Sequence, residues 1–453
     1  MRAPRFISLI LVSSLLGAFS ASRATIQPAV EFPTTDPESV GISSERLSRL
    51  DAWIRRMVDE KQFAGVVAIA ARHGKIFFSH TYGSTDTLTR VPMTSDEIFH
   101  IYSMTKPVTG VAMMILYEDG KWNPQEPISK YIPEFANLKV FKGVDASGRL
   151  LLVKPDHPPT MRELMTHTAG FSYGYGSGPI DKLYQNGNGR NIIVGAPSLQ
   201  DMIERLSKIP LLYQPGTRWV YSVSADIQGY LVQKLSSEPL PKFLKERIFV
   251  PLGMKDTGFF VPHHQRDKLA TLYRLSGTGT LERVWDKGLL DIVPAGDKKA
   301  RPTVDKDPPF PSGGAGLLST ADDYLRFAQM LLNRGELGGV RILGPETVRM
   351  MTANHLPDAL MTGDGGGGGG YTMRSGFGFG CDVSVYTDPF LADDPSGKGT
   401  FWWDGAAGTW FWVDPTDDIV FVGMVQKLGM SPGDFPSKFA RQLTYQALVD
   451  PRK

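Results

Sequence analysis

The run Phe99-His100-Ile101-Tyr102-Ser103-Met104-Thr105-Lys106-Pro107-Val108 decides the fold, because it sets a hydroxyl and an amine three positions apart where an apolar helix begins. Side chains at i and i+3 share one helix face, so Lys106 can reach Ser103. A serine hydroxyl is a weak nucleophile until a nearby base takes its proton, and this interval puts a nucleophile beside a proton acceptor. Residues 108–120 read as a mostly buried helix closed by Gly120. Ser103 then lies at the positive end of that helix, where unpaired N–H groups favour developing negative charge, and an apolar setting lowers the pKa of an enclosed lysine. Alone, the pattern also reads as a serine N-cap followed by a solvated lysine. Pro107 disfavours helical angles at Lys106, so a distorted first turn is expected. The interval acquires meaning only from partners elsewhere in the chain.

Working outward, the flanking segments predict a sheet built from both chain ends. Gly65-Val66-Val67-Ala68-Ile69-Ala70-Ala71-Arg72 and Lys75-Ile76-Phe77-Phe78-Ser79-His80-Thr81-Tyr82 read as strands joined by the two-residue turn His73-Gly74. The first is almost wholly apolar, as a strand covered on both faces would be. Residues 408–415 and 419–426 predict a second strand pair around an Asp-Pro turn, and a helix over about 437–449 follows. A further helix is expected after a cap at Ser43 or Ser44. Between the ends, residues 160–167, 198–206, 224–235 and 241–248 read as helices separated by Pro- and Gly-rich loops. The expected fold class is therefore α+β and two-lobed: an antiparallel sheet from both chain ends flanked by helices, with an inserted helical lobe. The expected boundaries are a sheet lobe at about 40–125 and 300–453, a helical lobe at about 126–299, and a cleft between them.

The N-terminus carries Arg2 and Arg5, then the apolar stretch 6–18, then Ser22-Arg23-Ala24. This is a secretory signal pattern, so residues 1–24 are expected to be removed and 25–453 to form the mature, exported protein, periplasmic or secreted. The apolar core is shorter than the ~20 residues a bilayer requires, so no stable membrane insertion is expected after cleavage. Forty-nine basic against 47 acidic residues give no electrostatic case for nucleic acid or an anionic membrane. The single cysteine, Cys381, excludes an intrachain disulfide and reads as a small buried filler. Eight histidines show no metal-ligand spacing, and His263-His264 reads as a surface pair, so neither metal nor cofactor is expected. The glycine run 365–370 reads as a flexible loop without a chemical role.

Gly170-Phe171-Ser172-Tyr173-Gly174 fits the Gly-x-Ser-x-Gly nucleophile elbow. That elbow needs a strand before the serine and a helix promptly after it, whereas here a helical segment precedes and Gly176-Ser177-Gly178-Pro179 follows. Ser172 is therefore expected to be a loop serine.

Four further segments, read with Ser103 and Lys106, carry a family likeness: Thr166-His167-Thr168-Ala169-Gly170, Pro215-Gly216-Thr217-Arg218-Trp219-Val220-Tyr221-Ser222-Val223-Ser224-Ala225-Asp226, Ser312-Gly313-Gly314-Ala315-Gly316, and Trp402-Trp403-Asp404-Gly405-Ala406-Ala407-Gly408. Together they make the chain resemble the serine β-lactamase and penicillin-binding-protein superfamily in its class C branch, most of all the family VIII carboxylesterases, from about Ser43 to Ala447. The resemblance implies Ser103 as the acylated serine, Lys106 as the lysine of its motif and Tyr221 as the tyrosine of the second motif. Which of Lys106 and Tyr221 is the base stays open, and a phenol held near the ammonium can be shifted toward phenolate and shuttle a proton between Ser103 and the leaving alcohol. It also implies an oxyanion site made by the backbone amides of Ser103 and Ala406, and a substrate pocket drawn from Tyr102, Tyr173, Tyr175, Val223, Trp403, Asp404 and Gly405. His167 and the turn 313–316 are expected to be scaffold.

Two departures bear on substrate. Val223 stands where the β-lactamases of this class carry Asn, and Trp403-Asp404-Gly405 stands where they carry Lys-Thr-Gly. The missing lysine removes a cation that could hold a β-lactam carboxylate, and an indole offers an apolar wall instead. The expected substrate is thus a small neutral carboxylic ester, cleaved through an acyl-enzyme. The alternatives are a β-lactamase, a D-amino-acid peptidase or amidase or a transacylase on the same fold, and a non-catalytic cell-wall-binding or scaffold protein. Oligomeric state is left open.

Overall fold

Strand β1 (Gly65–Arg72) is buried at every position because helices cover both faces of its sheet, and its side chains divide by parity. Val67, Ile69 and Ala71 enter the main core, whereas Val66, Ala68 and Ala70 enter a second layer with Trp410, Trp412 and Phe421. The computed structural model describes residues 31–185, 191–277, 279–286, 292–294, 306–361, 375–430 and 436–453. The expected leader at 1–24 and the glycine run 365–370 lie outside the described residues. Among the described residues no helix is long and apolar enough to cross a membrane.

β1 turns through His73-Gly74, both at positive φ as a two-residue hairpin demands, into β2 (Lys75–Gly83). Helix α1 (Ser44–Asp59) precedes them, capped by the Ser43 hydroxyl accepting the Arg46 N–H. From the other end of the chain, β6 (Phe377–Phe379), β7 (Ser384–Tyr386), β8 (Phe401–Asp404), β9 (Trp410–Asp414) and β10 (Ile419–Met424) complete a seven-stranded sheet. Its order is β6-β7-β8-β9-β10-β1-β2, and every pairing is antiparallel. α1 and the terminal helix α7 (Pro436–Tyr445) pack together on one side of this sheet. Helix α6 (Ala321–Leu332) packs across β1, β9 and β10 on the other.

The helical lobe differs from its expected composition. It holds helices α3 (Met161–Met165), α4 (Leu199–Leu206) and α5 (Ser224–Ser236), but also a hairpin of Val140–Val144 with Leu150–Val153. A second sheet, β3 (Leu272–Leu275), β4 (Leu281–Asp286) and β5 (Ile292–Pro294), is joined by β11 (Lys427–Leu428) from the far end of the chain. The region 126–299 is therefore mixed rather than helical, because these short strands, set between Pro- and Gly-rich loops, carry little apolar periodicity. Helix α2 (Thr105–Glu118), expected with the sheet lobe, packs against α5 and so ties the two parts together.

Candidate active site

Ser103 is placed by a chain of backbone constraints. Phe99 and His100 pair with Ser319 and Leu318, and residues 102–104 form a 3-10 turn that runs into α2. The turn accommodates Pro107: the distortion expected at the helix start falls just before Thr105. Tyr102 has φ +41°, a left-handed conformation that is costly for a tyrosine. Its hydroxyl donates to Asp286 at 2.9 Å and its ring stacks on His100, which holds it there. Between buried neighbours, Ser103 alone of this turn stays partly exposed.

The three side chains drawn from separate segments meet. The Tyr221 hydroxyl donates to Ser103 Oγ at 2.7 Å, and Lys106 Nζ lies 3.2 Å from the same oxygen. Lys106 Nζ also donates to the Gly314 carbonyl at 2.7 Å. Gly314 is glycine for a steric reason, since a Cβ there would stand 2.6 Å from Asp226 Oδ2 and 2.8 Å from the Tyr173 hydroxyl. Asp226, at the start of α5, accepts from the Ser312 hydroxyl, the Gly314 N–H and the Tyr173 hydroxyl, which fixes the loop that receives Lys106.

Burial dominates the electrostatics. It lowers the Lys106 pKa to about 8, against the opposing pull of Asp226 and Asp382. The same burial raises Asp226, with Lys106 and its hydrogen-bond donors acting the other way. Tyr221 is raised above the ordinary phenol range by burial, while its contacts with Ser103 and the Trp403 indole pull downward. Burial therefore opposes a shift toward phenolate, and Lys106 Nζ stands over the face of the Tyr221 ring, 4.5 Å from its centroid.

The turn after β8 packs on the nucleophile segment. Gly405 leaves no room for a side chain, because a Cβ would meet Thr409 Oγ1 at 2.1 Å and the Ile101 carbonyl at 2.4 Å. Gly405 N–H donates to Thr409 O, and Gly408 N–H to Gly405 O. The Ala406 N–H has no backbone acceptor among the described residues, as an oxyanion donor requires.

Of the expected pocket residues, Tyr173 and Trp403 stand beside Lys106 and Tyr221, and Tyr175 follows behind Tyr173. The Tyr221 ring lies 5.2 Å from Tyr173 and 5.4 Å from Trp403, and Tyr173 stacks on the exposed Tyr175. The other four offer no side chain beside those head groups among the contacts described. Val223 is fully buried ahead of α5, Tyr102 is turned back to Asp286, and Gly405 offers only backbone. Asp404 follows Trp403 on the strand and so faces the opposite side, where its carboxylate accepts from Ser437 on α7. Ser172 is buried and donates to Asp181 at 2.6 Å, far from the character of a nucleophile elbow. Cys381 is buried, and His263-His264 lie in a 3-10 turn without buried residues. Among the described residues no group of three or more His, Cys, Asp or Glu side chains is arranged to hold a metal ion.

The chain that carries this site has known relatives. A family profile described as beta-lactamase matches residues 50–445. The chain belongs to the serine β-lactamase superfamily. Within the superfamily it is 37% identical over 383 residues to Protein Rv1367c of Mycobacterium tuberculosis, an alignment covering 83% of this chain and 88% of the relative. It is 31% identical over 385 residues to Esterase EstB of Burkholderia gladioli, covering 84% and 90%. Among solved structures, EstCE1, described as a hydrolase with promiscuous acyltransferase activity, superposes with a TM-score of 0.70 at 27% identity, over 90% of this chain and 99% of that one. These relatives agree with the family VIII esterase-like branch of the β-lactamase superfamily.

Proposed function

We propose that this β-lactamase-family protein is an exported serine hydrolase that cleaves small carboxylic esters through an acyl-enzyme on Ser103. The observation that carries the reading is the convergence of Tyr221 and Lys106 on one partly exposed serine oxygen, at 2.7 and 3.2 Å. Trp403, in place of a cation, lines the same space and favours a neutral substrate. The esterase relatives support the same class. Export rests on the basic and apolar N-terminal residues 2–18.

Lys106 is the better placed base: its Nζ lies 3.2 Å from Ser103 Oγ, and a lysine lowered to about 8 supplies near neutral pH a neutral amine that can accept the serine proton while Tyr221 donates to the same oxygen. Lys106 takes the Ser103 proton as Oγ attacks the ester carbonyl, and the amides of Ser103 and Ala406 hold the oxyanion. Tyr221 gives its proton to the departing alkoxide, and the proton on Lys106 then restores the phenol. Water repeats the sequence to release the acid.

Two measurements test this reading. Catalytic efficiency on a short-chain p-nitrophenyl ester is expected to exceed that on a chromogenic cephalosporin, and a strong cephalosporin preference would sink the ester assignment. The base must be unprotonated, so kcat/KM is expected to rise about tenfold per pH unit below pH ~8 and level off above it. A profile flat across that range would remove Lys106 from the role.

A further inference from the structure

Tyr221 lies on a loop between Gly216 and α5, outside any helix or strand, yet its hydroxyl keeps a 2.7 Å contact with Ser103. His167 pins that loop on both sides of the tyrosine. Its backbone carbonyl accepts the Val220 N–H at 3.1 Å, and its ring Nδ1 accepts the Ser222 N–H at 3.2 Å. The residues before and after Tyr221 are thus tied to a single side chain and its own carbonyl.

The tautomer follows from the donors. A backbone amide can only donate, so Nδ1 carries the lone pair, the Ser222 hydroxyl 3.1 Å away can donate to it as well, and the ring proton sits on Nε2, 3.7 Å from Asp382 Oδ1. Burial, and then the charge of Lys106, keep the imidazole neutral by pushing its pKa well below the usual value. The ring is held by Phe379 at 5.4 Å, Trp219 at 6.1 Å and Tyr221 itself at 5.2 Å. The Tyr213 hydroxyl adds a second donor to the His167 carbonyl. His167 and Asp382 both have positive φ, +56° and +61°, and both are fully buried. Such strained non-glycine residues persist where their surroundings over-determine them, and they cluster at functional sites.

We propose that His167 is a positioning residue for Tyr221, an Nε2–H imidazole whose Nδ1 and carbonyl splint the backbone on either side of the tyrosine and so set its hydroxyl against Ser103. It does not touch substrate. The inference rests on the proposed role of Tyr221 in ester cleavage.

The test is a cycle of His167→Leu and His167→Asn in the wild-type and Tyr221→Phe backgrounds, assayed with a p-nitrophenyl ester. Leucine removes the acceptor, and kcat is expected to fall about 100-fold with KM little changed, as displaced catalytic groups do. Asparagine can present Oδ1 where Nδ1 stands and tolerates positive φ, so it is expected to stay within about tenfold of wild type. In the Tyr221→Phe background His167→Leu is expected to cost nothing further, because the hydroxyl it positions is already gone. Equal losses in both backgrounds would overturn the proposal and leave His167 a structural residue. Full turnover by Tyr221→Phe alone would instead overturn the catalytic reading on which it rests. Nitrogen-15 NMR of the wild-type imidazole gives an answer even where a variant does not fold. A fixed Nε2–H tautomer that does not titrate over about pH 6 to 9 is expected, and a charged ring at neutral pH would overturn the splint.

Discussion

Replacing Ser103 by alanine is expected to leave a folded protein whose kcat on esters is lower by about a million-fold, the scale on which removal of a serine nucleophile acts. Ser103 Oγ is the one atom on which the other two groups converge, Tyr221 at 2.7 Å and Lys106 at 3.2 Å, so its loss removes the attacking atom and leaves both without a reaction partner. Residual turnover over water would come from substrate binding and the oxyanion amides alone. The fold should tolerate the change, since Ser103 is partly exposed and Lys106 keeps its bond to Gly314 O. Intact-mass measurement after a fluorophosphonate should show one adduct on the wild-type protein, at Ser103, and none on the variant. Labelling of Ser172, or ester turnover that survives the substitution, would end the assignment.

Lys106→Met is the second large effect, a loss of about ten-thousand-fold in kcat, because a methionine fills the same buried channel without an amine to take the proton. Its stability should move the other way. A lysine lowered from 10.5 to about 8 on folding weakens the native state: the cost is present in full below pH 8 and is lifted as pH rises from 8 toward 10.5. Methionine removes that cost. Asp226, its neighbour, retains the donors Ser312, Gly314 and Tyr173, and burial already raises its pKa, so it can take a proton once the ammonium is gone. The thermal midpoint of the variant is therefore expected above that of the wild type at pH 7, with the gap narrowing as pH approaches 10. A variant that keeps ester activity, or one that melts lower at neutral pH, would contradict this account of the buried amine.

The outer sheet was legible because its signals are local. A run such as Val66 to Ala71 is apolar at consecutive positions only when both faces are covered, and His73-Gly74 is a turn that the backbone angles of those two residues bear out. Ser103 and Lys106 were legible through their interval, and Tyr221 through its motif. What stayed hidden depends on direction or on distant partners. The positive φ that turns Tyr102 back to Asp286 leaves no mark on composition. Asp226 looks like an ordinary acid in the first turn of a helix until the fold buries it against Ser312 and Gly314. His167 was read as scaffold because the contacts that tie it to Val220 and Ser222 are made more than fifty positions along the chain. Asp404 was readable, since strand alternation alone puts it on the opposite face from Trp403.

The pairing of β1 with β10, in which Val67 lies opposite Met424, has a consequence for how the molecule matures. During synthesis the early hairpin leaves the ribosome with one edge unsatisfied, and its complement, which begins at Ile419, is made only long afterwards. Closure of such a distant pairing is slow, and the waiting edge is open to association with other chains. Refolding should therefore be paced by the arrival of Ile419–Met424, and a nascent chain halted before it would lack competence although Ser103, Lys106 and Tyr221 had all been made long before.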